Sequence, residues 1–169
     1  MLEKRKIVLR RKKRQKRIRR TKIAVLTVFV LMNVVAYFHA YKFTHFSASE
    51  KSATQTPSAM SVGAKLKSLI FGVSNHRPAN KEWPKRFYET ILIQSNKTIE
   101  AWSIRQLHPK GTVILFHGYR SEKSALLRQA DVFMSLGYNT LLVDFMGSGG
   151  SDGNQTTIGY LEAEQVKSC

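Results

Sequence analysis

The sequence predicts an α/β fold with a largely parallel sheet, preceded by one transmembrane helix. Three observations carry this. Residues 1–22 hold 13 Lys and Arg and lead directly into an uncharged apolar block. Further on, two short apolar runs, "TVILF" and "NTLLVDF", read as strands. A helical pattern separates them, and strand–helix–strand with short connections is the unit of a parallel sheet.

The chain has 169 residues, 28 of them Lys or Arg against 11 Asp or Glu, for a net charge of +17. That charge is concentrated. Glu3 is the one acid in residues 1–22, and the remaining 147 residues carry 15 basic and 10 acidic side chains. The basic balance therefore belongs mostly to the N-terminal tail. "KRKIVLRRKKRQKRIRRTK", residues 4–22, has the charge to meet either phosphates of nucleic acid or anionic lipid headgroups.

The adjoining apolar segment decides for lipid. "IAVLTVFVLMNVVAYF" and the next three residues complete an apolar block at 23–41. A 19-residue helix reaches about 28 Å, close to the roughly 30 Å hydrocarbon core of a bilayer. Tyr37, Phe38 and Tyr41 suit an interfacial aromatic belt at its far end. The basic cluster before the block sets a cytoplasmic N-terminus, with residues 42–169 on the non-cytoplasmic side. Two other readings stay open, a buried core helix and a cleaved signal peptide. "AYFHAYKF" offers no A-x-A cleavage site for the latter.

Residues 42–86 read as linker and juxtamembrane segment. "SASEKSATQTPSAMS" (47–61) is a tether, "AKLKSLIFGV" (64–73) a short amphipathic helix near the membrane, and "NHRPANKEWPKR" (75–86) extended surface. "FYETILIQ" and "TIEAWSIRQ" flank the turn signal "SNKT" and form a hairpin. "TVILF" (112–116) reads as a strand buried on both faces. "SEKSALLRQADVFMSLG" (121–137) reads as a helix capped by Ser121 and ended by Gly137 in the left-handed conformation. "NTLLVDF" (139–145) is the next strand, and "TTIGYLEAEQVKS" (156–168) opens a further helix.

The chemistry is concentrated in "GSGGSDG" (147–153), whose last five residues satisfy G-x-S-x-G, the pattern of a nucleophile elbow. An elbow needs its strand to run straight into the first Gly and a helix to start directly after the Ser. Here "MGS" separates the strand from Gly149, and "DGNQTT" comes after Ser151. Ser151 therefore reads as a loop residue. The single cysteine, Cys169, excludes an internal disulfide, and no Cys/His set has metal-ligand spacing. No cofactor is expected.

"GTVILFHGYRSEKS" and "LLVDFMGSGGSDG", in this order and separated by one helix, resemble the third strand and the fourth-strand loop of α/β-hydrolases. Within that family they resemble membrane-anchored serine hydrolases of the serine-aminopeptidase and monoglyceride-lipase type. Asp144, Gly147, Gly149, Ser151 and Gly153 stand in register with the family's D-x-R-G-x-G-x-S-x-G, and Met146 stands where Arg is usual. The resemblance covers residues 87–168. It implies an oxyanion-hole donor at the Tyr119 N–H, after the His117-Gly118 motif. It also implies that nucleophile, acid and base His lie beyond Cys169. On that basis residues 87–169 are expected to be the N-terminal half of a hydrolase domain. Such a chain belongs to an enzyme acting on an ester, thioester or amide of a small molecule or peptide, and is inactive as written. "TVILF" would then be an exposed edge. The competing expectation is a pseudoenzyme or membrane-anchored binding protein, and nucleic acid is the least favoured partner.

Overall fold

A computed structural model describes residues 2–47 and 60–169. Most of the proposed tether at 47–61 therefore lies outside the described residues.

Helix α1 runs unbroken from Leu2 to Thr44. The basic tail is thus helical and continuous with the apolar block, and the side chains from Leu9 to Val34 are exposed. Lys and Arg are good helix formers, and Gly and Pro are absent until well past the apolar block, so nothing local interrupts the helix. Helix α2 spans Val62–Phe71. Ser61 caps it by accepting the Ala64 N–H, and Gly72 ends it at φ +73°. Two-residue strands β1 (Phe46–Ser47) and β2 (Asn75–His76) pair in parallel.

The main sheet holds β3 (Glu89–Gln94), β4 (Thr98–Ile104), β5 (Thr112–Phe116) and β6 (Asn139–Val143) in the order β3-β4-β6-β5. The β3/β4 hairpin is present as the alternation predicts, with Ile93 opposite Ile99. The expected parallel character is corrected. β4 runs antiparallel to both β3 and β6, and β5/β6 is the one parallel pair of this sheet. The βαβ unit supplies one parallel ladder, while the hairpin inverts everything joined through β4. The reading of β5 as buried on both faces is corrected too. Among the described residues it lies at the sheet edge, paired with β6 alone, and Ile114 is 37% exposed.

Both faces of the sheet are packed. Helix α3 (Leu127–Ser135) covers one, where Ala130 and Met134 meet Trp102, Ile104 and Leu142. Ile99, Ala101 and Val143 form the opposite face, with Phe116, Leu141 and Cys169 against them. Burial pushes the Cys169 thiol above its ordinary pKa, which suits a packing role.

Two helix starts differ from expectation. Residues 123–126 form a 3-10 turn before α3, and Ser121 does not cap it; Glu122 occupies that place without a side-chain bond. Helix α4 (Glu162–Ser168) starts later than the expected 156, because Ile158 and Gly159 both have positive φ and cannot continue a right-handed helix.

Candidate functional site

Strands β5 and β6 are parallel, so their C-terminal ends emerge side by side. The His117–Arg120 turn follows β5, and the Gly-rich loop follows β6. Between them and α4 lies a cleft of about 320 Å³. Phe46, Phe145, Met146, Ile158 and Val166 give it apolar walls, with the His117–Arg120 turn along one side.

The Gly-rich loop is organised around Asp144, which is fully buried. Its carboxylate accepts the Lys123 N–H at 2.6 Å, the Gly150 N–H at 3.0 Å and the Asn80 amide at 3.2 Å. It also pairs with the Lys123 ammonium. Lys123 is itself 0% exposed, reaches Glu100 at 2.7 Å and lies 4.4 Å from the centre of the Trp102 ring. A buried cluster of this kind is tolerable only when every charge is paired and hydrogen-bonded, as here. The backbone must pass tightly over it. A Cβ at position 149 would overlap the Asp144 carboxylate, and one at position 150 would overlap that of Glu100. Gly147, Gly149 and Gly153 also adopt positive φ.

Ser151 is buried in this loop. Its hydroxyl donates to the Asp144 carbonyl at 2.7 Å and accepts the Glu100 N–H at 2.8 Å. Both hydrogen-bonding roles are therefore spent on backbone. From the other side Arg77 donates to the carbonyls of Gly149 (2.8 Å), Gly153 (3.2 Å) and Ser151, while the Gly149 N–H donates to Pro78. The expectation that 75–86 is extended surface is thus corrected at its start, where Asn75 is buried and Arg77 clamps the loop. Met146 is buried, and the loop's guanidinium comes from position 77 instead.

His117 is buried between the two loops. Its Nε2 accepts the Phe145 N–H at 3.0 Å, so that nitrogen carries no proton. The proton is then on Nδ1, which donates to the Gly118 carbonyl at 2.8 Å. His117 ties β5 to the start of the Gly-rich loop, and neither ring nitrogen is left for proton transfer. The chain reverses in this turn two residues after Gly118. Arg120 takes the left-handed conformation, φ +56°, and a Cβ on Gly118 would meet open space.

Tyr119 has no acceptor for its N–H among the described residues. Its side chain faces α1: the hydroxyl donates to the Phe43 carbonyl at 2.6 Å, accepts from the Asn75 amide at 3.1 Å, and the ring stacks on Phe43. Burial raises the Tyr119 pKa, with Arg120 opposing, so the phenol stays a donor.

Glu162 closes the cleft at the α4 end. Burial disfavours its charge, but the Thr156 and Thr157 hydroxyls and the Thr157 N–H outweigh that and bring its pKa to about 2. The Gly159 N–H bonds the same carboxylate at 2.9 Å.

Lys123, Asn80, Arg77 and Glu162 were not legible as site residues. Met146, standing where Arg is usual, is the one sign in the sequence that the bonding of this loop differs.

No protein-family profile matches the chain, and no curated protein matches it. Among solved structures it is similar to the Pyrococcus furiosus esterase Pf2001 in a P212121 crystal, with 30% identity and a TM-score of 0.50 over 54% of this chain and 38% of that one. The fold is hydrolase-like. The same esterase in a P21 crystal gives 27% identity and a TM-score of 0.47 over the same shares. The chain therefore spans well under half the length of the esterase it matches. At the other end of the chain, α1 is long and apolar enough to cross a membrane.

Proposed function

We propose that the chain carries the oxyanion side of a membrane-anchored serine hydrolase acting on an ester, thioester or amide. The observation that carries this is the Tyr119 N–H, without an acceptor among the described residues, at the end of β5 on an apolar cleft. A donor so held stabilises negative charge as it develops on a carbonyl oxygen. Ser151 and His117 are engaged by backbone and belong to the frame. We expect no nucleophile–base pair among the described residues, and so no turnover by this chain alone.

In this reading residues 23–41 cross the bilayer once, with the N-terminus cytoplasmic and the cleft on the far side. The basic residues of 4–22 lie against anionic headgroups. A non-enzymatic binding protein is the second reading, favoured by the same engagement of Ser151 and His117.

The reading frame beyond Cys169 separates the two. A second G-x-S-x-G placed where a strand meets a helix, followed by an acid and then a His, supports the hydrolase. Its absence favours the binding protein. A fluorophosphonate probe on the present chain should label no serine.

A further inference from the structure

Helix α2 presents an apolar stripe on which nothing packs among the described residues. Val62, Leu66 and Leu69 stand at i, i+4 and i+7 and are 83%, 56% and 69% exposed. Three such side chains on one face of a ten-residue helix ask for an apolar environment. Lys65 and Lys67 flank the stripe, and no acidic residue lies in the helix.

The position of α2 says what that environment is. The helix is fastened to one short stretch of α1. His39 Nε2 meets the Leu69 carbonyl at 2.8 Å, Lys42 donates to the Gly72 carbonyl at 3.3 Å, and Phe71 packs edge-on against Phe38 at 5.4 Å. Gly72 presses so close to α1 that a Cβ there would lie 3.2 Å from the His39 Cα. All these contacts fall at residues 38–42, the far end of the apolar block. Whatever depth that end has in a bilayer, α2 shares it.

We infer that α2 is an interfacial helix lying in the headgroup region of the leaflet where α1 leaves the membrane. Its Val62–Leu66–Leu69 stripe meets acyl chains, and Lys65 and Lys67 meet lipid phosphates. A helix with an apolar stripe and basic flanks binds the boundary of headgroup and acyl chain in this way. The consequence reaches the cleft. The same end of α1 holds Tyr119 through Phe43, and β1, which follows it directly, supplies Phe46 to the cleft wall. With α2 seated in the headgroups, the cleft sits at the membrane surface rather than swinging on a tether.

This rests on reading residues 23–41 as a span, and the test separates the two. The full chain carrying Cys169→Ser is given one new cysteine at a time, Met32→Cys, Leu66→Cys, Leu69→Cys or Leu107→Cys. Each is labelled with an environment-sensitive fluorophore and reconstituted in phosphatidylcholine/phosphatidylglycerol vesicles. Spin-labelled lipids with shallow or deep nitroxides then quench the probe. Met32 should be quenched best by the deep label. Leu66 and Leu69 should be quenched by the shallow label about twofold more than by the deep one, as a depth of roughly 5–10 Å requires. Leu107, 90% exposed on the sheet domain, is the unquenched reference. If Met32 is quenched while Leu66 and Leu69 match Leu107, the inference is overturned and the span stands. Leu66 quenched as deeply as Met32 also overturns it. An unquenched Met32 overturns the span, and the inference with it.

Discussion

The Gly-rich loop after β6 and the short turn after β5 are neighbours with opposite construction. In the first, the carboxylate of Asp144, the hydroxyl of Ser151 and the carbonyls of Gly149, Ser151 and Gly153 all have partners. In the second, the Tyr119 N–H has none among the described residues, and Gly118 faces open space. The loop has the motif of a catalytic serine and the physics of a frame. The turn has a weak motif and the geometry of a binding edge. Satisfied polar groups stabilise, while a donor left without a partner beside a cleft is where a ligand has something to gain.

Substitutions in the loop should therefore cost stability, and those in the turn should not. The largest effect is expected for Asp144→Ala. It removes the acceptor for Lys123, Asn80 and Gly150 and leaves a buried ammonium with Glu100 alone. Breaking one partner out of a buried ion cluster costs about 3–5 kcal/mol. Urea unfolding in detergent, followed by fluorescence of Trp102 beneath Lys123, measures it. A loss under about 1 kcal/mol would mean that water reaches the cluster.

Ser151→Ala comes next. It strands the Glu100 N–H and the Asp144 carbonyl in the interior. Leaving buried groups unpaired costs about 1–3 kcal/mol. Where a longer protein turns over a generic ester, the same substitution should leave the rate within about tenfold. Loss of a nucleophile would remove activity by many powers of ten. Abolished turnover in a folded protein would make Ser151 catalytic and break the comparison.

The third test is pH. Glu162 has its pKa lowered from 4.5 to about 2 in the folded chain. Its ionised form therefore stabilises the fold above pH 4.5, and that contribution drains away as pH falls from 4.5 towards 2. Glu162→Gln should lower stability at pH 7 by about 1 kcal/mol, screening at the cleft edge being allowed for, and should flatten the acid limb of the curve. Equal acid limbs for the two proteins would assign the Thr156–Thr157 bonds no net role.

What was legible in the sequence was local. The hairpin register follows from alternation around "SNKT", and Gly137 ends a helix at φ +93° where the pattern stops. The strand–helix–strand unit follows from period alone. What was not legible joins residues far apart. Arg77 meets the Gly-rich loop more than 70 positions away, and nothing in "NHRPANKEWPKR" marks one cation as buried. Lys123 reads as a solvent-facing residue at a helix start, and only the fold brings two carboxylates to it. The sheet departs from the largely parallel expectation for the same reason. The hairpin and the βαβ unit are each legible, but which edge of the hairpin meets β6 is a tertiary fact.

The smallest expected effect is the sharpest test of the contrast. Gly118 and Gly149 both sit in a strand-end loop, and both belong to a glycine pattern. Gly149 has φ +48° and no room for a Cβ, so Gly149→Ala combines backbone strain with a clash against Asp144 and should cost about 1–3 kcal/mol or more. Gly118 lies outside the left-handed region, and a Cβ there touches nothing. Gly118→Ala should therefore change stability by less than about 0.5 kcal/mol, as a surface substitution does. The added methyl stands one residue before the Tyr119 N–H, in a turn that lines the cleft. If that N–H serves an oxyanion, turnover in a longer, active protein should fall while stability holds, because only the approach of the substrate oxygen changes. A Gly118→Ala protein that unfolds as readily as Gly149→Ala would show that the turn is as tightly framed as the loop. A stable protein with unchanged turnover would take the oxyanion role from the Tyr119 N–H and leave His117-Gly118 as a strand-end turn.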